Sequence, residues 1–129
     1  MVFSGRSHSI DADLSRLSEA REFAVDAAAD FGLDEFAVYR VKLAVSEAVA
    51  NAIQHGSSSS RDPVEIAVIE ESGALVMYVR DSGRFVPRVG QRGELPERGR
   101  GLEFMGQLMD EMDVRPGADG TEVRLSLRP

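Results

Sequence analysis

In "VSEAVANAIQHG", residues 45–56, a carboxylate, an amide and an imidazole recur four positions apart as Glu47, Asn51 and His55. A carboxylate one helical turn from an amide suits two tasks: holding a hydrated hard cation and taking a proton from a nucleophile. Setting Glu47 at zero and stepping about 100° per residue puts Arg40, Asn51, Gln54 and His55 on one stripe of a helix. Val38, Val41, Val45, Ala48, Val49 and Ala52 fill the adjoining arc, the side that would pack. A solvated helix face is usually filled with lysine, glutamate and arginine, and this stripe departs from that pattern. The small residues Ala44, Ser46, Ala48, Ala50 and Ala52 would also let a second layer or a flat ligand come close.

Two other stretches carry candidate chemistry. In "VRDSGRFVP", residues 79–87, a β-branched run ends in Asp81-Ser82-Gly83. On its own that is an ordinary exit into a loop, since Asp and Gly favour turns for local backbone reasons. In "ERGRGLEFMGQL", residues 97–108, Gly99-Arg100-Gly101 stands directly before a helical pattern. A helix start offers unpaired amide protons and a positive dipole end to phosphate. The spacing is neither that of a Walker A loop nor the Rossmann pattern, and a plain hinge is the simpler reading of the glycines alone. Charge adds to the picture. Arg80 to Arg100 holds six arginines against three acids, a balance of +3, whereas the rest of the chain carries −10. Such a segment is either a solvated loop or a clamp for something small and strongly anionic, because guanidinium donors match phosphate oxygens.

The elements that would position these residues can be read from pattern and composition. A chain of 129 residues is long enough for one domain with its own core. The absence of cysteine excludes disulfides and thiol chemistry. No apolar run approaches a membrane span and "MVFSGRSHSI" is not a signal peptide, so a cytoplasmic location is expected. The net charge of −7 argues against a general binder of nucleic acid or anionic membrane.

Residues 2–10 read as a strand. A helix follows from Asp11 or Asp13 to a stop at Gly32, with Leu14, Leu17, Ala24, Ala28 and Phe31 on one face, interrupted by Arg21. A second helix is predicted from Asp34 to Gly56. "VEIAVIE" and "ALVMYVRD" read as a hairpin about Glu71-Ser72-Gly73. Residues 82–100, rich in glycine, proline and arginine, read as a long loop. "LEFMGQLMDEM" resumes a helical pattern, and "DVRP" and "TEVRLSLRP" close the chain as strands. The order β-α-α-β-β-loop-α-β-β predicts an α+β fold, a two-layer α/β sandwich. Its sheet would be mixed and mostly antiparallel, with the helices on one face.

Taken in this order, the motifs resemble those of the GHKL ATPase family, which has the Bergerat fold. Its members include gyrase, chaperone and repair ATPases, histidine kinases and small anti-sigma-factor serine kinases. "VSEAVANAIQHG" resembles the N box through Glu47 and Asn51, with His55 where the anti-sigma branch commonly has one. "VRDSGRFVP" resembles the G1 box through Asp81 and Gly83, although Phe85 stands where a second glycine would be, or that glycine is deleted. "RGRGLEFMGQLMDEMDV" resembles the G2 box through Gly99, Arg100, Gly101 and Leu102. "GTEVRLSL" resembles the final Gly-Thr strand through Gly120 and Thr121. Neither a phosphoacceptor helix before these motifs nor a transducer domain after them is expected. Residues 1–129 are therefore expected to form a single kinase domain of the anti-sigma type, with 84–100 as the ATP lid.

The resemblance implies roles. Asp81 would accept from the adenine amino group, with Gly83 leaving room for the ring and Thr121 joining through its hydroxyl. Asn51 would coordinate Mg2+, and Glu47 would be the general base. Gly99, Arg100, Gly101 and Leu102 would hold the phosphates, with His55 and Arg84 as further ATP contacts. The implied activity is that of an ATP-dependent serine/threonine kinase acting on an anti-sigma factor antagonist of the STAS type, with a sigma factor as the alternate partner. A nucleotide-responsive sequestering module is the second reading. Retention of Glu47 favours the kinase, and the altered G1 box favours the module. Homodimers are common among such relatives, and a dimer stays open here.

Overall fold

The structure is a computed structural model that describes residues 4–56, 62–82, 106–117 and 120–129, with only the backbone of His55 and Gly56. Strand β1 (Arg6–Asp11) leads through a 3-10 turn (Leu14–Arg16) into helix α1 (Leu17–Phe31). Helix α2 (Glu35–Asn51) runs on into a π-helical turn (Ala52–Gly56). Strands β2 (Pro63–Glu71), β3 (Ala74–Asp81), β4 (Glu111–Gly117) and β5 (Gly120–Leu127) complete the described chain. The sheet order is β1-β2-β3-β5-β4, and every pairing is antiparallel among the described residues, so the parallel component expected of a mixed sheet is not among them.

Local chemistry explains most boundaries. Asp13 accepts from the Ser15 amide at 2.9 Å and starts the 3-10 turn; Asp34 accepts from the Ala37 amide at 2.8 Å and starts α2. α1 ends at Gly32, where the Leu33 amide reaches back to the Ala28 carbonyl at 3.2 Å. The β2–β3 hairpin turns on Ser72 (φ 53°) and Gly73 (φ 81°), two positive dihedrals that match the twist of the flanking strands.

Packing follows the valine-alanine arc. Val41, Ala44, Val45, Ala48 and Val49 of α2 are buried, as are Ala20, Ala24, Ala27 and Ala28 of α1. The alanines let the two helices approach closely over the sheet. Beneath them lie Ile10, Val64, Ile66, Val68, Leu75, Met77, Val79, Leu125 and Leu127, one face of the sheet. Each such aliphatic side chain contributes about 1.5–3 kcal/mol relative to exposure.

Three expectations need correction. Leu14 is 48% exposed in the 3-10 turn and does not join the α1 face. The α-helical repeat of α2 stops at Asn51, and the π turn takes the chain to Gly56. The helical reading of 102–112 fails at its end: Glu111 and Met112 belong to β4. Met109 is buried in the core and the Asp110 amide donates to the Ser126 carbonyl at 2.9 Å, so the sheet claims the chain there.

The outer face of the sheet is a charge ladder. Glu65, Arg80, Glu122 and Arg115 are register neighbours across β2, β3, β5 and β4. Arg80 bridges Glu65 at 3.1 Å and Glu122 at 2.6 Å, and its guanidinium lies 5.0 Å from the Tyr78 ring centroid. The Glu122 hydrogen bond raises the Arg80 pKa further above its already high value.

Candidate functional site

Glu47 and Asn51 sit one turn apart on α2, both half-buried, and neighbours at this spacing meet on a helix surface. The π turn that follows packs against β3 and β5, with Ala52 in the core and Ile53 packed on it. Its chain must reach Pro63, the first residue of β2, which pairs with the end of β1. The C-terminal end of α2 therefore lies over the end of the sheet where β3 finishes and β5 begins. A π turn widens the helix. It thereby turns Gln54, which is exposed, away from the 100° count that placed it beside Glu47.

Asp81 ends β3 and pairs with Val64 on one side and Thr121 on the other. Side chains alternate along a strand, so Asp81 continues the row of Leu75, Met77 and Val79, and Thr121 continues that of Leu125 and Leu127. Both therefore face the helix layer, at the sheet end that α2 and its π turn cover. Directly opposed Cβ atoms lie about 5 Å apart. One planar polar edge could engage both side chains at that separation.

Gly120 makes the approach possible. A Cβ there would stand 1.9 Å from the Asp81 carbonyl oxygen, and its φ of 138° is one that side chains rarely adopt. An open depression of about 260 Å³ at this end is lined by Arg80, Asp81, Arg115, Gly117, Gly120, Thr121 and Glu122.

Two polar atoms at this end are buried without a hydrogen-bond partner among the described residues: Asn51 Nδ2 and Thr121 Oγ1. Leaving such a group unpaired costs about 1–3 kcal/mol, so a ligand that supplied a partner to each would recover that cost. Among the described residues no group of three or more His, Cys, Asp or Glu side chains could hold a metal ion. Magnesium usually takes one or two carboxylates with substrate phosphates and water completing its shell, and here the Asn51 amide oxygen could offer it a protein ligand. The unpartnered Asn51 Nδ2 is a donor and the Thr121 hydroxyl a donor or acceptor, so the pair fits a ligand that presents an acceptor to the first and a polar edge to the second.

Of the site residues expected from sequence, Glu47, Asn51, Asp81 and Thr121 are described and share one end of the sandwich. Gly83, Arg84, Gly99, Arg100, Gly101, Leu102 and the His55 side chain lie outside the described residues, as does Phe85. Arg40 was placed on the polar stripe, but sequence reasoning gave it no role. Its Nε donates to the Leu108 carbonyl at 2.7 Å. Its position seven residues before Glu47 was the available signal.

The sequence matches the family described as histidine kinase-like ATPase domain over residues 10–127. It is 38% identical to an anti-sigma F factor of Geobacillus stearothermophilus, in a match covering 66% of this chain and 65% of that relative. It is 31% identical to the anti-sigma F factor of Bacillus subtilis (strain 168), with 88% of each covered. The fold is similar to the crystal structure of the RsbU and RsbW domains of Rv1364c from Mycobacterium tuberculosis. That likeness has a TM-score of 0.76 at 23% identity, covering 97% of this chain and 32% of that one.

Proposed function

This chain belongs to the histidine kinase-like ATPase domain family, and on that premise we propose that it is an ATP-dependent protein serine/threonine kinase of the anti-sigma-factor type. Its substrate is an anti-sigma factor antagonist of the STAS type, and a sigma factor is its alternate partner. The observation that carries this reading is the pair of unpartnered buried atoms, Asn51 Nδ2 and Thr121 Oγ1, at one end of the fold with Glu47 and Asp81.

Each residue has a task. Asp81 accepts from the adenine amino group; guanine offers a carbonyl there, which would set two acceptors against each other. Thr121 adds its hydroxyl beside that carboxylate. Asn51 presents its amide oxygen to magnesium and its Nδ2 to a phosphate oxygen. Glu47, one turn earlier, accepts the proton of the attacking serine hydroxyl. Magnesium neutralises phosphate charge, and transfer is otherwise a matter of positioning. Glycines 99 and 101, Arg100 and Leu102 are the proposed phosphate contacts, with His55 and Arg84 as further ATP contacts.

Incubation with labelled Mg-ATP and candidate antagonist domains tests the reading. Label on an antagonist serine that disappears with Glu47→Ala supports it. Tight ATP binding with no label on any antagonist would leave a nucleotide-responsive sequestering module instead.

A further inference from the structure

Asp81 and Thr121 form the last described rung of the β3–β5 ladder, and Val64 and Asp81 the last of β2–β3. β3 ends at Asp81, β5 begins one residue before Thr121, and β2 begins one residue before Val64. Terminal rungs open most readily, because the ladder continues on one side of them only. The two side chains assigned to adenine therefore stand where the sheet is held least by its own backbone.

The rung behind them is fastened on the opposite face. Arg80 is exposed there and meets Glu65 through Nη1 at 3.1 Å and Glu122 through Nε at 2.6 Å, so one guanidinium spans three strands. It also packs 5.0 Å from the centroid of the Tyr78 ring. Arg115, the other register neighbour of Glu122, turns to Asp113 at 2.7 Å instead. Among the described ion pairs, Arg80–Glu122 alone joins β3 to β5. The depression of about 260 Å³ is lined by both rungs, Arg80 and Glu122 together with Asp81 and Thr121, so any parting of the two strands alters the recess itself. Exposed ion pairs add little to global stability. A contact of small weight in the whole fold can still decide the spacing of its end rung.

We infer that Arg80 is a positioning residue for adenine recognition. By drawing Glu65 and Glu122 together across the back of the sheet, it holds Asp81 and Thr121 at a separation that one purine edge can engage. This deepens the nucleotide-binding reading above and rests on it. Arg80 acts through Asp81, from the other face of the strand, so its effect should vanish once Asp81 no longer reads the base.

The test is calorimetric titration of the full chain with Mg-ATP in four forms: parent, Arg80→Met, Asp81→Asn and the double variant. Arg80→Met keeps the aliphatic stem and removes both ion pairs. It should weaken Mg-ATP binding about threefold in the parent, the scale of one well-formed exposed ion pair, and cause no further loss in Asp81→Asn. Glu122→Ala, which breaks the same bridge from β5, should give the same pattern. Unchanged affinity in Arg80→Met, or an equal loss in both backgrounds, overturns the inference while leaving the nucleotide reading in place. If Arg80→Met does not fold, the same comparison on Glu122→Ala decides. Intact affinity in Asp81→Asn, or a parent chain that does not bind Mg-ATP, overturns the nucleotide reading and the inference with it.

Discussion

Asp81 and Thr121 stand directly opposite each other in the β3–β5 ladder, and the threonine hydroxyl is buried with no partner among the described residues. A buried hydroxyl left unpaired is a cost that the nucleotide-free protein carries. Thr121→Val removes the hydroxyl with little change of shape. Its stability without nucleotide should rise by about 1 kcal/mol, while its ATP affinity falls. Urea melts without nucleotide, set beside a Mg-ATP titration, check both halves; a variant less stable than the parent would contradict the assignment.

Asp81→Asn tests the other member of the pair. The amide keeps size and shape but turns one acceptor into a donor, which then faces the adenine amino group. Nucleotide affinity, read by calorimetric titration with Mg-ATP, should fall by at least about tenfold. Intact affinity would remove Asp81 from the site.

Gly120→Ala should damage the fold itself. The added methyl would meet the Asp81 carbonyl oxygen at 1.9 Å, in a backbone conformation with φ 138°. A loss of about 2–4 kcal/mol is expected from clash and strain together. Equilibrium denaturation measures it, and a neutral result would mean that β5 can draw back from β3.

The His8–Glu19 pair gives a pH dependence whose sign can be worked out. His8 Nε2 lies 2.5 Å from Glu19 Oε2, with the His8 ring stacked 5.4 Å from that of Phe23. The hydrogen bond from His8 lowers the Glu19 pKa, partly opposed by desolvation and assisted by Arg16. A carboxylate with a lowered folded-state pKa stabilises the fold fully above its unfolded value, roughly pH 4.3, and loses that contribution as the pH falls through the folded value. Glu19→Gln should therefore be less stable than the parent near neutrality, with the two melting curves converging in acid. Parallel curves over the whole range would exclude the pair as a source of stability.

What could be read from sequence was what is decided locally. Asp34, Gly32 and the Ser72-Gly73 turn act on their immediate neighbours, and the structure has each where composition placed it, while Asp13, one of two caps offered for the first helix, caps the 3-10 turn ahead of α1. The valine-alanine arc of α2 was equally legible, because burial on one side imposes its period on the residues. The π turn was not: a count at fixed angle has no means of registering a change of pitch after Asn51. Glu111 and Met112 read as helix because their partners, Ser126 and Leu125, are at the far end of β5. The site divides in the same way. Glu47 and Asn51 announce themselves by spacing, whereas the meeting of Asp81 with Thr121 depends on strand register, which the sequence revealed only through family likeness.

The alternating row Glu65–Arg80–Glu122–Arg115 constrains how this sheet could be rewritten. Arg80 immediately precedes Asp81 in sequence while pointing to the opposite face, so the residue that neutralises the back of the sheet shares a strand end with a residue of the site. Reversing Arg80 alone would crowd three carboxylates into one line. Exchanging Arg80 and Glu122 as a couple would keep the alternation between them but set Glu65 against another acid and Arg115 against another base. Only a four-position inversion restores every neighbour, so the four charges can be rewritten together but not piecemeal.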